Sequence, residues 1–203
     1  MFALRHDAQP EVSALLALAK GDFEEANRKI SMGISPINLI ELARKHQVDG
    51  LCWSMWRRSP HFSDDSFASL RPILSELRNA FIHHTLRNEA LKKDIVDLHK
   101  ALQTKGIEAM FLKGAWLAFH AYPDPGARPV GDIDLCVREN DYNTVLGVLQ
   151  SLEYRSATVL AQSSARALRQ AHFSRQLRFD ACAKRPLELH FRIVNIGPPE
   201  SEE

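Results

Sequence analysis

Cysteine is scarce: Cys52, Cys136 and Cys182 are the only 3 in 203 residues. They lie far apart with no C-x-x-C pair, which argues against a disulfide framework or a zinc-binding spacing. Reduced thiols in a cytosol are the simplest reading. Charge of one sign is equally lacking. With 26 Lys and Arg against 25 Asp and Glu, the formal net charge is +1, so there is no broad basic field to hold a long nucleic-acid duplex. No run approaches the ~20 apolar residues of a membrane span. Met1 to Pro10 also lacks the apolar core of a signal peptide, so the expectation is a cytoplasmic protein without a membrane partner. No internal repeat is visible, and low complexity is confined to an acidic tail.

What is present suffices for a core. Hydrophobic residues make up 45% of the chain, enough for one domain or one domain with a helical extension. Val12, Leu15, Leu16 and Ala19 mark a short helix. Ser35-Pro36 starts another, an N-cap followed by proline at the first helical position, carrying Leu39, Ile40 and Ala43. Asp49-Gly50 reads as a break before Leu51 to Trp56. From Pro72 to Lys105 there is no glycine and no further proline. Leu74, Leu77, Phe81, Leu91, Ile95, Leu98 and Leu102 recur there at helical spacing, which predicts one long helix or two joined ones ending at Gly106. Trp53 and Trp56, around Met55, read as core in preference to an acceptor pocket. His83, His84 and His99 read as surface or interface residues, and Arg57-Arg58 and Lys92-Lys93 as solvated charge.

The chemistry-bearing stretch begins at Ile107. Ile107 to Leu112 reads as a strand, Lys113-Gly114-Ala115 as a glycine turn, and Trp116 to about Tyr122 as a helix. Glycine lets backbone N–H groups approach a phosphate, and a helix N-terminus carries partial positive charge, so a triphosphate could sit there beside Lys113. The loop His120 to Pro129, stiffened by Pro123, Pro125 and Pro129, delivers Arg128 ahead of Gly131-Asp-Ile-Asp-Leu135. If 132 to 137 is a strand, Asp132, Asp134 and Cys136 share one face, and Ile133, Leu135 and Val137 the other. Two neighbouring carboxylates repel unless a cation answers them, and Mg²⁺ is the natural one. An exposed edge strand with a solvated Asp pair is the competing reading. Arg128 either pairs with phosphate oxygens or neutralises the acids.

His172 to Asp180 and Pro186 to Val194 read as two further strands, joined through Ala183-Lys-Arg185. In the second, Glu188, His190 and Arg192 share one face and Leu187, Leu189 and Phe191 the other. Glu188 then offers a third acid beside Asp132 and Asp134, with Asp180 the competitor and a solvated strand face the alternative.

The succession Lys-Gly-Ala, Tyr-Pro-Asp-Pro-Gly-x-Arg-Pro, Gly-Asp-Ile-Asp-Leu and Leu-Glu-Leu-His-Phe resembles the uncharacterised nucleotidyltransferase family of the polymerase-beta-like superfamily. The resemblance is clearest from Ile107 to Ile193. It implies an α+β fold with a small mixed sheet flanked by helices and preceded by an all-helical N-terminal region. The division expected is 1–105 helical, 106–196 nucleotidyltransferase-like core and 197–203 polar tail. By position, Gly114 and Ala115 take the place of the phosphate-cradling turn, with Lys113 and Arg128 beside the nucleotide. Asp132 and Asp134 take the place of the metal pair and Glu188 of the third acid, catalysing as Mg²⁺ or Mn²⁺ ligands. Ala115 departs from the usual Gly or Ser, Glu188 from the usual Asp. The ending at Ile196-Gly-Pro-Pro-Glu-Ser-Glu-Glu203, soon after the Leu-x-Leu-His segment, suggests a truncated or naturally short member.

The function expected is metal-dependent transfer of a nucleoside monophosphate, from ATP or another nucleoside triphosphate, to a small molecule, a protein side chain or an RNA end, with release of pyrophosphate. The alternative is an inactive nucleotide-binding or protein-interaction module of the same fold, docking a partner through its helical region. A phosphohydrolase is disfavoured because no His-Asp cluster of hydrolase type is apparent.

Overall fold

The computed structural model describes residues 10–156, 176–182 and 184–191. Their contacts cluster into two units. The first comprises Met1–Glu89 with Ala118–Pro129, and the second Ala90–Leu117 with Val130–Glu203.

In the first unit, four short helices, α1 (Pro10–Lys20), α2 (Phe23–Ser31), α3 (Pro36–Lys45) and α4 (Asp49–Arg57), precede α5 (Arg71–Gln103), whose first part belongs here. The caps explain the boundaries. Asp22 accepts from the Glu25 N–H at 3.2 Å to start α2, and Ser35 accepts from the Asn38 N–H at 3.4 Å, with Pro36 in the first turn of α3. The core includes Leu15, Leu18, Phe23, Leu39, Phe67, Leu70 and Leu77. Trp56 sits at its centre, edge-on to Phe23 at 4.9 Å and Phe67 at 5.6 Å, so it is core as the spacing suggested. Trp53 is half-buried and lines a cleft with Phe62, Arg71 and Arg78.

Four details differ from the sequence reading. Leu16 points outward, 51% exposed, while Ala14 and Leu18 are buried in α1. No helix was foreseen at Phe23–Ser31. Asp49 and Gly50 open α4 instead of breaking it. Arg57 and Arg58 are exposed, as expected of solvated charge, yet both also pair with Asp124.

That last contact belongs to a clasp. Asp124, buried in the loop that precedes the short 3₁₀ turn Pro125–Ala127, accepts from Ser54 Oγ, from Arg57 at 2.7 Å and from Arg58 at 2.9 Å. Arg58 also donates to the Pro123 carbonyl at 2.7 Å, and Asn88 donates to the carbonyls of Pro125 (2.6 Å) and Arg128 (2.7 Å). Backbone groups in a buried loop need such partners. Beside it, Gly50 and Gly126 touch with no side chain between them. A Cβ on Gly50 would collide with the Gly126 carbonyl, and one on Gly126 with Thr85 Oγ1 and, at 2.5 Å, the Phe81 carbonyl. Asp49, also buried, accepts from His84 Nε2 at 3.1 Å.

In the second unit, the end of α5 buries Leu91, Leu98 and Leu102. Its terminus is at the expected place: Gly106 has φ +69°, a left-handed stop that suits glycine, and the Ile107 N–H reaches back to the Leu102 carbonyl at 3.1 Å. The strands are β1 (Ala109–Leu112), β2 (Ile133–Val137), β3 (Arg155–Ser156), β4 (Gln176–Asp180) and β5 (Leu187–His190); α6 (Lys113–His120) follows β1, and α7 (Tyr142–Ser151) follows β2. Among the described residues they form a five-stranded mixed sheet of order β1-β2-β5-β4-β3, parallel only between β2 and β5. The chain is thus α+β with a small mixed sheet. The alternation foreseen for β2 holds where it matters, since Ile133, Leu135 and Val137 are all buried. The strand β3 was not foreseen, being 2 residues long. The expected strand residues 172–175 and 192–194 lie outside the described residues.

Two stability outcomes follow from these contacts. Gly126→Ala should lower unfolding free energy by about 1–3 kcal/mol through overpacking, whereas Gly147→Ala in α7, where an added Cβ meets nothing within 4 Å, should raise it by roughly 0.5–1 kcal/mol. Urea unfolding of both variants checks the contrast. Burial pushes the Asp124 carboxyl up, but hydrogen bonds from Arg58 and Ser54 and the charges of Arg57 and Arg58 outweigh it and hold it below the ordinary 3.8. A carboxyl so lowered contributes stability in full above that ordinary value and loses it as pH falls through the lower folded one. Stability measured against pH should therefore fall less steeply at the acid end in Asp124→Asn than in the parent.

Candidate active site

The site is built where β2 and β5 run in parallel. Asp134 stands opposite Glu188, and Cys136 opposite His190, while on the other side Leu112 of β1 stands opposite Asp134. Residues paired across strands point to the same face, so the register alone sets two carboxylates and an imidazole side by side. The other face of β2 is committed to the core through Ile133 and Leu135, each fully buried. This prevents Asp134 from turning outward.

Asp134 is 3% exposed and His190 is 9%, and Glu188 is half-buried. One donor atom from each of the three lies within 4.8 Å of the others. Asp134 Oδ1 accepts from Lys113 Nζ at 2.6 Å and from His190 Nε2 at 2.8 Å. Glu188 Oε2 is 4.0 Å from the same ammonium and 3.9 Å from the same imidazole nitrogen. A buried carboxylate is costly unless paired and hydrogen-bonded, and these two donors supply the answer.

Lys113 occupies the corner between β1 and α6 with φ +47°, a left-handed conformation uncommon for a residue with a Cβ. The left-handed residue of the corner is therefore Lys113, the first residue of α6, and not Gly114. The Lys113 ammonium is held above its ordinary 10.5, chiefly by the hydrogen bond to Asp134, against burial; the charges of Asp134, Glu188 and Asp132 add to the effect.

The sequence candidates distribute as follows. Asp134, Glu188 and Lys113 come together. Asp132 lies just before β2, half-exposed, outside the group of converging donor atoms yet near enough for its charge to act on Lys113. Gly114 and Ala115 lie in the first turn of α6, where backbone N–H groups lack partners within the helix. The Ala115 side chain is buried, leaving its backbone to meet a ligand. Asp180 ends β4, is exposed, and is not among the converging donors. Arg128 belongs to the first unit, where its guanidinium donates to Tyr122 Oη at 3.0 Å and lies over that ring at 5.4 Å. Arg192 lies outside the described residues. His190 was placed on the face of Glu188 by strand alternation but not foreseen as a partner of Asp134. Its signal was that same two-residue step.

The sequence model of the uncharacterised nucleotidyltransferase family matches residues 34–203. The chain belongs to that family. No curated protein matches it. Membership in the uncharacterised nucleotidyltransferases makes nucleotidyl transfer the general chemistry to set beside this geometry. The donor set also fits a divalent cation: two carboxylates suit Mg²⁺ or Mn²⁺, an imidazole is tolerated by Mn²⁺ and later metals, and the ammonium already on Asp134 shows that this place holds positive charge.

The cysteines provide a probe of the site. Burial pushes the Cys52 thiol up to about 12 and raises that of half-buried Cys136 as well, while Cys182 is exposed. Because the thiolate is the reactive form, labelling should proceed in the order Cys182, Cys136, Cys52, the last only on unfolding. A cation or nucleotide bound at Asp134 and Glu188 should slow Cys136 selectively, as mass spectrometry of the labelled peptides would reveal.

Proposed function

We propose that this protein moves a nucleoside monophosphate from a nucleoside triphosphate to an acceptor, releasing pyrophosphate, and that it does so on a polymerase-beta-like fold with residues 106–196 as its core. The observation that carries the reading is the buried Asp134 beside Glu188 on parallel strands, with Lys113 at the neighbouring strand-to-helix corner, in a chain of the nucleotidyltransferase family.

In this reading Asp134 and Glu188 would hold Mg²⁺ or Mn²⁺, with Asp132, just ahead of the strand, the third carboxylate assigned to the ion. When bound, the ion supplies Lewis-acid stabilisation of charge on the phosphate oxygens. The N–H groups of Gly114 and Ala115, at the positive end of α6, receive triphosphate oxygens, and the Lys113 ammonium offsets the charge of the departing pyrophosphate. Glu188, less buried than Asp134, is the carboxylate assigned to the acceptor hydroxyl, orienting it or taking its proton. The acceptor is a small molecule, a protein side chain or an RNA end; the near-zero net charge disfavours a long duplex. The helical region 1–105 is the candidate for recognising it or a protein partner, and the cytoplasm is the proposed compartment.

Calorimetric titration of ATP, GTP, CTP and UTP with Mg²⁺ tests this. One triphosphate should bind in a metal-dependent manner, and Asp132→Asn/Asp134→Asn should abolish that binding while remaining folded. Glu188→Gln should keep measurable nucleotide binding but lower transfer to the acceptor by at least ~100-fold, the scale of general acid–base assistance. Absence of binding by every triphosphate would favour the interaction module.

A further inference from the structure

Asp134 Oδ1 serves two donors that differ in freedom. His190 is buried within β5, whereas the Lys113 side chain, 59% exposed, reaches Oδ1 on a flexible four-carbon stem from the left-handed first residue of α6. A divalent cation shared by Asp134 and Glu188 has to approach the oxygen that the ammonium holds at 2.6 Å, and the same ammonium stands 4.0 Å from Glu188 Oε2. Two positive charges cannot share that oxygen at such distances without strong repulsion.

We infer that Lys113 is a tethered counter-ion of the cation site, neutralising Asp134 and Glu188 until a divalent ion takes the carboxylates, and then turning to the oxygens of the incoming triphosphate. The inference rests on the reading of the cluster as a metal site. Its consequence is coupling. The ion alone has to displace the ammonium and leaves it without a partner, whereas the ion with triphosphate brings the displaced ammonium a new anionic partner. Each ligand thereby strengthens the other, and by linkage the effect is reciprocal. The side chain's exposure gives it room to move, and its place as the first residue of α6 sets it at the end of the helix that carries partial positive charge. A static ion pair would hold Asp134 just as well but would produce no such coupling.

The test is titration of Mn²⁺, followed by the electron paramagnetic resonance signal of the free ion, into the wild type, Lys113→Gln, Lys113→Met and Lys113→Arg, with and without inorganic triphosphate. Lys113→Gln should bind Mn²⁺ alone about tenfold more tightly than wild type; Lys113→Arg, which keeps the charge, should not. Triphosphate should tighten Mn²⁺ binding in the wild type and do so less in Lys113→Gln. Lys113→Met keeps the apolar stem and repeats the measurement should the glutamine variant fold poorly. If the wild type binds Mn²⁺ and the neutral variants bind it no more tightly, the counter-ion role is overturned while the metal reading stands. If the wild type binds no Mn²⁺ with or without triphosphate, both fall.

Discussion

Everything chemical in this chain depends on the parallel pairing of β2 with β5. Five hydrogen-bonded strands could be arranged in many registers, but this one sets Asp134 against Glu188 and Cys136 against His190, and a slip by one residue would turn each to the opposite face. The register is enforced from behind. Ile133, Leu135, Leu187 and Leu189 are all buried, so the two strands align by their apolar side, and the acids are carried to the front as a consequence. The core thus does the positioning, while the polar face carries the cost of concentrated charge, which is offset by the Lys113 ammonium and the His190 imidazole.

Much of this was legible because it is periodic. The alternation in Ile133 to Val137 and Leu187 to His190 follows from the two-residue repeat of a strand, and the long uninterrupted helix follows from the lack of glycine and proline between its ends. Gly106 as a stop, and Ser35 with Pro36 as a start, were readable for the same local reasons. What escaped was non-local. That Lys113 and not Gly114 makes the corner depends on where β1 ends, and that His190 reaches Asp134 depends on which strands are neighbours. The sequence pattern states that Glu188 and His190 share a face; it does not state against whom.

Arg57, Arg58 and the Tyr-Pro-Asp-Pro-Gly segment illustrate a different difficulty. Two adjacent arginines on a helix look solvated, and a proline-rich segment preceding an acid pair looks like part of the site. In the structure Asp124 of that segment is held by both arginines and Ser54, and its carbonyls by Asn88. Sequence proximity to the chemistry therefore mixes two kinds of constraint in one motif: Arg128 carries a cation, while its own carbonyl is one of the groups that hold the loop in place.

The meeting of Gly50 with Gly126 has an evolutionary corollary. When a large side chain presses on another, a later change to a smaller neighbour can restore the fit, so the two sites drift together. Here both partners are already the smallest residue available; a Cβ on Gly50 would meet chiefly the main chain of Gly126, while one on Gly126 would meet the Phe81 carbonyl together with the Thr85 and Phe81 side chains. Neither position can be rescued by shrinking the other: relief at Gly50 needs movement of the Gly126 backbone, and relief at Gly126 needs the Phe81 carbonyl to move as well as room at two side chains. The pair is accordingly a constraint that no single smaller neighbour removes.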